Sequence, residues 1–487
     1  MTERERISHL LRRLGLGSGK AELAVYERLG FDGALNRLLD FEKVDEGFGI
    51  SPWSVAMQPD KQLYRDPYQM GMWWSLRMLM TARPLQEKLT LFWHDHFAVS
   101  GEKVFEGPTM LGYNEILRTH GAGKFRDLLK AVSMHGALVG YLDANTSTKA
   151  HPNENFAREM FELFTMGIGH YSEADVKEAA RAFTGWSLHY AGLGDETPYE
   201  KQADMAARQG MSMLNFCIVP VFHDFGEKTI LGQKGKFTGE QVLEQLADRP
   251  ETARHICTKL WEFFAYHKPE SSVIDALSAV WRQADGEIRA VLRAMVGRPE
   301  FWSEKCVRSM PKSPADFTVG MFRAFGIGPI LGTMLGTPGG DYEPVKDDIR
   351  KAGQAAFYLM SQQGMTLMFP PNVGGWEWGD AWITANNTVL RVNHSQMIFW
   401  GEDKNRPIAV LVAGKLKDEL KVASAADIVD GVADIFDAKL EPQDRDLLVE
   451  TCAKAGGVAA LTDKDQAANL LASVTKLMFA TPGFQLC

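Results

Sequence analysis

No apolar run in the sequence approaches the roughly 18 residues needed to cross a bilayer. The first residues, "MTERERISHLLRRLGLGSG", are charged from the start and lack an apolar h-region, so they do not read as a secretory signal. The expectation is a cytoplasmic chain with no membrane span, with export left open if the true start lies upstream. Cysteine is scarce: Cys217, Cys257, Cys306, Cys452 and Cys487 are dispersed, odd in number and never in C-x-x-C spacing. That excludes a zinc ribbon and a disulfide framework and leaves free thiols. Excess basic charge is also missing. The formal net charge is −9, which argues against general nucleic-acid binding, because that needs a basic face. The nucleophile elbow G-x-S-x-G, the zinc helix H-E-x-x-H and the phosphate loop G-x-x-x-x-G-K-[ST] do not occur.

What remains is an ordinary globular composition, 45% hydrophobic and 24% charged, on 487 residues. Helical apolar spacing with glycine or proline punctuation recurs along nearly the whole chain. The expected fold is mainly α, a large multi-helix globular protein with a small β-ribbon. Two lobes are expected: residues 1–305, carrying the His/Asn/Glu/Arg motifs, and residues 306–487, with a tryptophan-rich loop. One continuous domain is the alternative. "NFCIVPVFH" and "KTILGQKGKF" are expected to pair as the ribbon, around "DFGE" near residues 216–238. Gly192 to Met213 and Leu331 to Pro344 read as long loops. "VLRAMVGRPEFW" and "VTKLMFATPGFQ" share V-x-x-x-M-x-x-x-P-x-F, each a helix stopped at proline.

Four stretches could carry chemistry. In "LTLFWHDHFAVS", His94 and His96 flank Asp95. On a helix, residues two apart point to nearly opposite sides, so the two histidines should not chelate one metal. His96 falls on the apolar stripe with Leu85, Leu89, Phe92 and Trp93, and His94 on the side of Glu87 and Thr90. In "HPNENFAREMFELFTMG", Asn155, Glu159 and Glu162 form a polar stripe, with Arg158 beside it and apolar residues opposite. Glutamates three apart can share a metal or serve as acid and base; an amphipathic surface helix with a Glu154–Arg158 pair explains the same pattern. In "FHDFGEKTILGQKG", His223, Asp224, Glu227 and Lys228 crowd a turn. In "FPPNVGGWEWGDAWITANN", Trp376, Trp378 and Trp382 fall within seven positions, on a loop fit to present aromatic faces or to plug a core.

Together "LTLFWHDHF", "PNENFAREMFELFTMGIGHYSEADVKEAARAFTGW", "HDFGEKTILGQKG" and "PPNVGGWEWGDAWI" resemble, in this order, the bacterial domain-of-unknown-function 1800 family. The likeness runs from "SHLLRRLGLG" to "ATPGFQLC". Asp95 stands where Asn is common, and Met160 and Met166 where leucines are usual. The resemblance implies a signature made of His94, His96, Asn153, Glu154, Asn155, Arg158, Glu159, Glu162, Arg181, His223, Asp224, Lys228 and Trp376. It also implies a gene neighbour resembling sulfatases and alkaline phosphatases.

Three functional expectations follow. The first is an enzyme using a polar inter-helix cluster in which His96, Glu159, Glu162, Arg158 and Asn155 are catalytic, the reaction being open. His96, Glu159 and Glu162 would hold a divalent metal, and Arg158 or Arg181 would balance the carboxylates. His94, Arg181, His223, Asp224, Lys228 and the three tryptophans would serve binding. The second is a non-enzymatic binding or maturation partner of the sulfatase/phosphatase-like protein. The third is saccharide or peptide recognition by Trp376, Trp378 and Trp382, which requires at least two open indole faces.

Overall fold

The computed structural model describes residues 1–60, 62–190, 213–335, 342–400 and 404–487. The chain is mainly helical, with two small two-stranded antiparallel sheets among the described residues. Eleven helices carry the account: α1 (Glu3–Leu14), α2 (Pro67–Met80), α3 (Pro84–His96), α4 (Gly107–His120), α5 (Glu154–Glu162), α6 (Glu173–Phe183), α7 (Pro250–Phe264), α8 (Pro314–Phe325), α9 (Asp347–Gln362), α10 (Ala385–Trp400) and α11 (Lys464–Ala480). Proline in the first turn opens α2, α3, α7 and α8, where its missing N–H costs nothing. The Ser172–Asp175 capping box starts α6, as the spacing predicts.

Long elements of the two halves pack on each other where α2 lies against α9, and within the second half α10 lies against α11. The buried apolar core is one cluster running from Ile7 to Phe484. The helix α1 ties the halves through its arginines. Arg13 donates from Nε to the Phe264 carbonyl at 3.0 Å and from a guanidinium nitrogen to the Cys487 carbonyl at 3.3 Å. Lys88 of α3 pairs with Asp316 of α8 at 2.9 Å. No single helix among the described residues is long and apolar enough to cross a membrane.

The strands pair differently from the sequence expectation. Strand β2 (Leu214–Ile218) pairs with β1 (Trp186–Tyr190), and β3 (Lys228–Ile230) pairs with β4 (Gln233–Gly235). The cause is local. Leu231 and Gly232 both take positive φ, 51° and 79°, the geometry of a two-residue hairpin turn, so "KTILGQKG" folds on itself. Of the long loops, Gly192 to Met213 lies outside the described residues except at its end. Leu331–Leu335 continues a helix, Ile327–Leu335, and residues 336–341 lie outside the described residues. Both copies of the proline-stopped pattern bury their phenylalanine, Phe301 and Phe484.

Candidate functional site

Every residue of α3 is buried, so the helix has no solvent side for His94 to occupy. Its polar face is covered by α4. Glu87 accepts from Arg118 at 2.7 and 2.9 Å and from the Trp74 indole N–H at 2.8 Å, and both members of the ion pair are excluded from solvent. Burial pushes the Glu87 carboxyl up, but Arg118 and Arg77 outweigh it and hold it below the usual range. His94 stacks on Trp376 with ring centroids 5.7 Å apart, and neither of its ring nitrogens has a hydrogen-bond partner among the described residues. Burial lowers its pKa to about 3, so it is neutral.

His96 points the other way, as the helical period requires, but it does not meet Glu159 or Glu162. Its Nε2 lies 3.1 Å from the Phe164 carbonyl, which fixes Nε2 as the protonated nitrogen. His255 of α7 does the same for the preceding carbonyl, Leu163, at 3.3 Å. The two histidines therefore donate to the carbonyls of Leu163 and Phe164, in the turn that ends α5, where a helix end leaves carbonyls without intrahelical partners. Among the described residues no group of three or more His, Cys, Asp or Glu side chains is placed to hold a metal, so the expected His96–Glu159–Glu162 triad is not assembled.

The polar stripe of α5 resolves into separate contacts. Asn153 caps the helix, accepting from the backbone N–H groups of Asn155 and Phe156, and Asn155 itself is exposed. Arg158 pairs with Glu173 at 2.7 Å, neither with Glu154 nor with the stripe. Glu162 accepts from the Tyr171 hydroxyl. Glu159 is half-buried and makes no hydrogen bond or ion pair with the described residues; burial and the neighbouring Glu162 charge raise its pKa.

Arg181, His223, Asp224 and Lys228 do come together, around one loop. From α6, Arg181 donates through Nε to Asp224 at 2.8 Å and through its terminal nitrogens to Glu178 at 2.8 Å and the Glu227 carbonyl at 3.2 Å. Asp224 accepts from the Gly226 N–H at 2.8 Å. His223 donates from Nδ1 to the Thr184 carbonyl at 2.8 Å, and the Thr184 hydroxyl accepts the Asp224 N–H at 2.8 Å. The ammonium of Lys228, itself buried, donates to the carbonyls of Asp224 and Gly226. Gly185 (φ 82°) lets the chain pass: a Cβ there would come within 2.8 Å of the Val219 carbonyl. The apolar side chains on this braced segment face solvent. Val221 is 65% exposed and Phe225 66%, with Ile218 and Phe222 close to half.

The tryptophan loop closes over α3. The Trp376 backbone N–H donates to one carboxylate oxygen of Asp95 and the Trp378 indole N–H to the other, both at 2.6 Å. Gly375 (φ 85°) is required here, since a Cβ would fall 2.2 Å from Asp95 Oδ1. Burial drives the Asp95 carboxyl up to about 7 against the two hydrogen bonds and the nearby Lys259, whose own pKa burial lowers. Trp376 and Trp382 are buried and Trp378 is half-buried. The two open indole faces that saccharide or peptide recognition needs are absent, because two of the three rings plug the core.

Sequence reasoning passed over Asp95 as a structural group, and Thr184, Lys259 and His255 altogether. Asp95 had a signal, a lone acid between two histidines on a buried helix; the other three had none. No curated protein and no solved structure matches the chain. The family model for "Protein of unknown function (DUF1800)" matches residues 9–486, and the chain belongs to that family.

Proposed function

We propose that the chain is a non-enzymatic binding protein whose contact element is the loop Ile218–Phe225, and that its partner is the sulfatase/phosphatase-like protein expected from the gene neighbourhood. One observation carries this reading: a partly buried polar network holds out apolar side chains. Arg181, Asp224, His223, Thr184 and Lys228 fix the backbone of a short loop, while Val221, Phe222 and Phe225 stay exposed. Exposed apolar side chains in a cluster mark interaction sites. A loop already rigid loses little freedom on binding, so its aromatic contacts convert more fully into affinity. The signature polar residues then act through the backbone they hold.

Calorimetric titration of the purified neighbour against the full chain tests this. Phe222→Ser with Phe225→Ser should weaken binding by at least about tenfold, the loss of roughly 1.4 kcal/mol, with the thermal midpoint little changed because both side chains are exposed. Equal affinity of the double variant, or no binding by the wild type, contradicts it. The enzyme reading retains one observation, Glu159 beside Glu162 without a hydrogen bond or ion pair among the described residues. Loss of the chain's cellular role in Glu159→Gln, with the Phe222/Phe225 variant fully competent, would favour that reading instead.

A further inference from the structure

After α1 the chain turns through "GLGSG" into the helix Lys20–Glu27, which packs on α8 and on the helix Ala425–Ile435. A cavity of about 30 Å3 remains at this junction. Arg12 and Ser18 line it from the first half of the chain, and Arg308, Lys312, Asp316 and Asp437 from the second. At roughly 10–15 Å3 for each water-sized occupant, it takes two waters or one monatomic ion, and no organic molecule.

The two carboxylates on its wall are already engaged. Asp437 accepts from the Ser8 and Ser18 hydroxyls at 2.6 Å, pairs with Arg308 at 3.0 Å and pairs with Arg12. Asp316 pairs with Lys88 at 2.9 Å. Two cationic donors are left over on the same wall. Arg12 is only 7% exposed, and its Nε has no hydrogen-bond partner among the described residues. The Lys312 ammonium makes no hydrogen bond or ion pair with any described residue; it lies over the Phe484 ring, 4.1 Å from the centroid. Next to them Arg391, itself buried, also lacks a carboxylate, because its donors go to Gln363, Gln485 and the Lys312 carbonyl. Arg13 is occupied by Phe264 and Cys487. Setting it aside, Lys88, Arg12, Arg308, Lys312 and Arg391 outnumber Asp316 and Asp437 in a chain whose net charge is −9. Burial first, with Arg308 and Arg391, lowers the Lys312 pKa to about 8 against Cys487 and Asp437, so the charge is mostly kept at neutral pH. A buried charge without a counter-charge is costly. Gly19, also on the wall, begins its helix with no side-chain cap, so the first backbone N–H groups add partial positive charge there.

We infer that this cavity binds one chloride ion, held by Arg12 and Lys312 where the first half of the chain meets the second. Crystals of the full chain grown in bromide test it by anomalous diffraction. A bromine peak is expected in the cavity, within hydrogen-bond reach of Arg12 Nε and Lys312 Nζ. In solution, the thermal midpoint of the full chain should rise saturably, by at least about 2 °C, as chloride replaces gluconate at fixed ionic strength. Lys312→Met keeps most of the side-chain stem and removes the charge. It should lose that rise, whatever its midpoint in gluconate; if it does not fold, the bromide peak decides alone. Water only in the cavity of the bromide crystals, a wild-type midpoint indifferent to chloride, or an equal rise in Lys312→Met overturns the inference.

Discussion

The chemistry of Asp95 departs far from that of an ordinary aspartate. Its carboxylate sits inside the protein on two N–H donors, and burial raises its pKa from 3.8 to about 7. The sign of the consequence is fixed. The folded state binds the proton more tightly than the unfolded chain, so Asp95 contributes stability below about pH 4 that is lost as the pH rises to about 7. At about 1.4 kcal/mol per pKa unit, that loss sums to several kcal/mol. Asp95→Asn keeps an oxygen for the Trp376 N–H and removes the ionisation. Thermal midpoints between pH 4 and 7 should fall less steeply with pH in this variant than in the wild type. Parallel profiles would show that Asp95 titrates normally. The sequence placed His94 and His96 on opposite sides of α3 correctly, because the 3.6-residue period decides that alone. It could not show that both sides are buried, since the covering groups, Arg118 and Trp376, come from elsewhere in the chain.

At the scale of elements, α3 and α4 are joined by the Glu87–Arg118 pair, wholly inside the protein. A buried pair of this kind is weak evidence for net stabilisation, yet breaking it leaves an uncompensated charge. Arg118→Met should cost about 3–5 kcal/mol by denaturant unfolding. A loss under 1 kcal/mol would mean that water or Arg77 takes over the carboxylate. The starts of α3 and α6 were readable because proline at a first turn and the Ser172–Asp175 box are local signals. Strand pairing was misread for a related reason. The apolar run "NFCIVPVF" carries no mark of its partner, and β1 lies beyond a long segment. The self-pairing of "KTILGQKG" did have a local mark, the Leu231–Gly232 turn. The α5 stripe shows the limit of the helical wheel. It placed Asn155, Glu159 and Glu162 on one face, but gave no account of Tyr171 and Glu173, which engage Glu162 and Arg158 from the following turn and helix.

For the whole molecule, several of the polar residues singled out in the sequence fasten elements distant in the chain. His96 holds the end of α5, Asp95 the tryptophan loop, and Arg181 with Asp224, His223 and Lys228 the loop before β3. A pattern of His, Asp, Glu and Arg in sequence has the same letters whether it binds a substrate or a backbone. Only the partners distinguish the two, and here most partners are carbonyls and N–H groups. The central claim is that these side chains brace the apolar contact loop. Hydrogen–deuterium exchange of Arg181→Met against wild type tests it most directly. Five amides, Val219, Phe222, His223 and Asp224 of the loop and Gly226 just after it, have partners that depend on its fixed path. The account predicts that their protection falls in Arg181→Met while that of α2, α3 and α9 is kept. Unchanged protection of those five amides would contradict it.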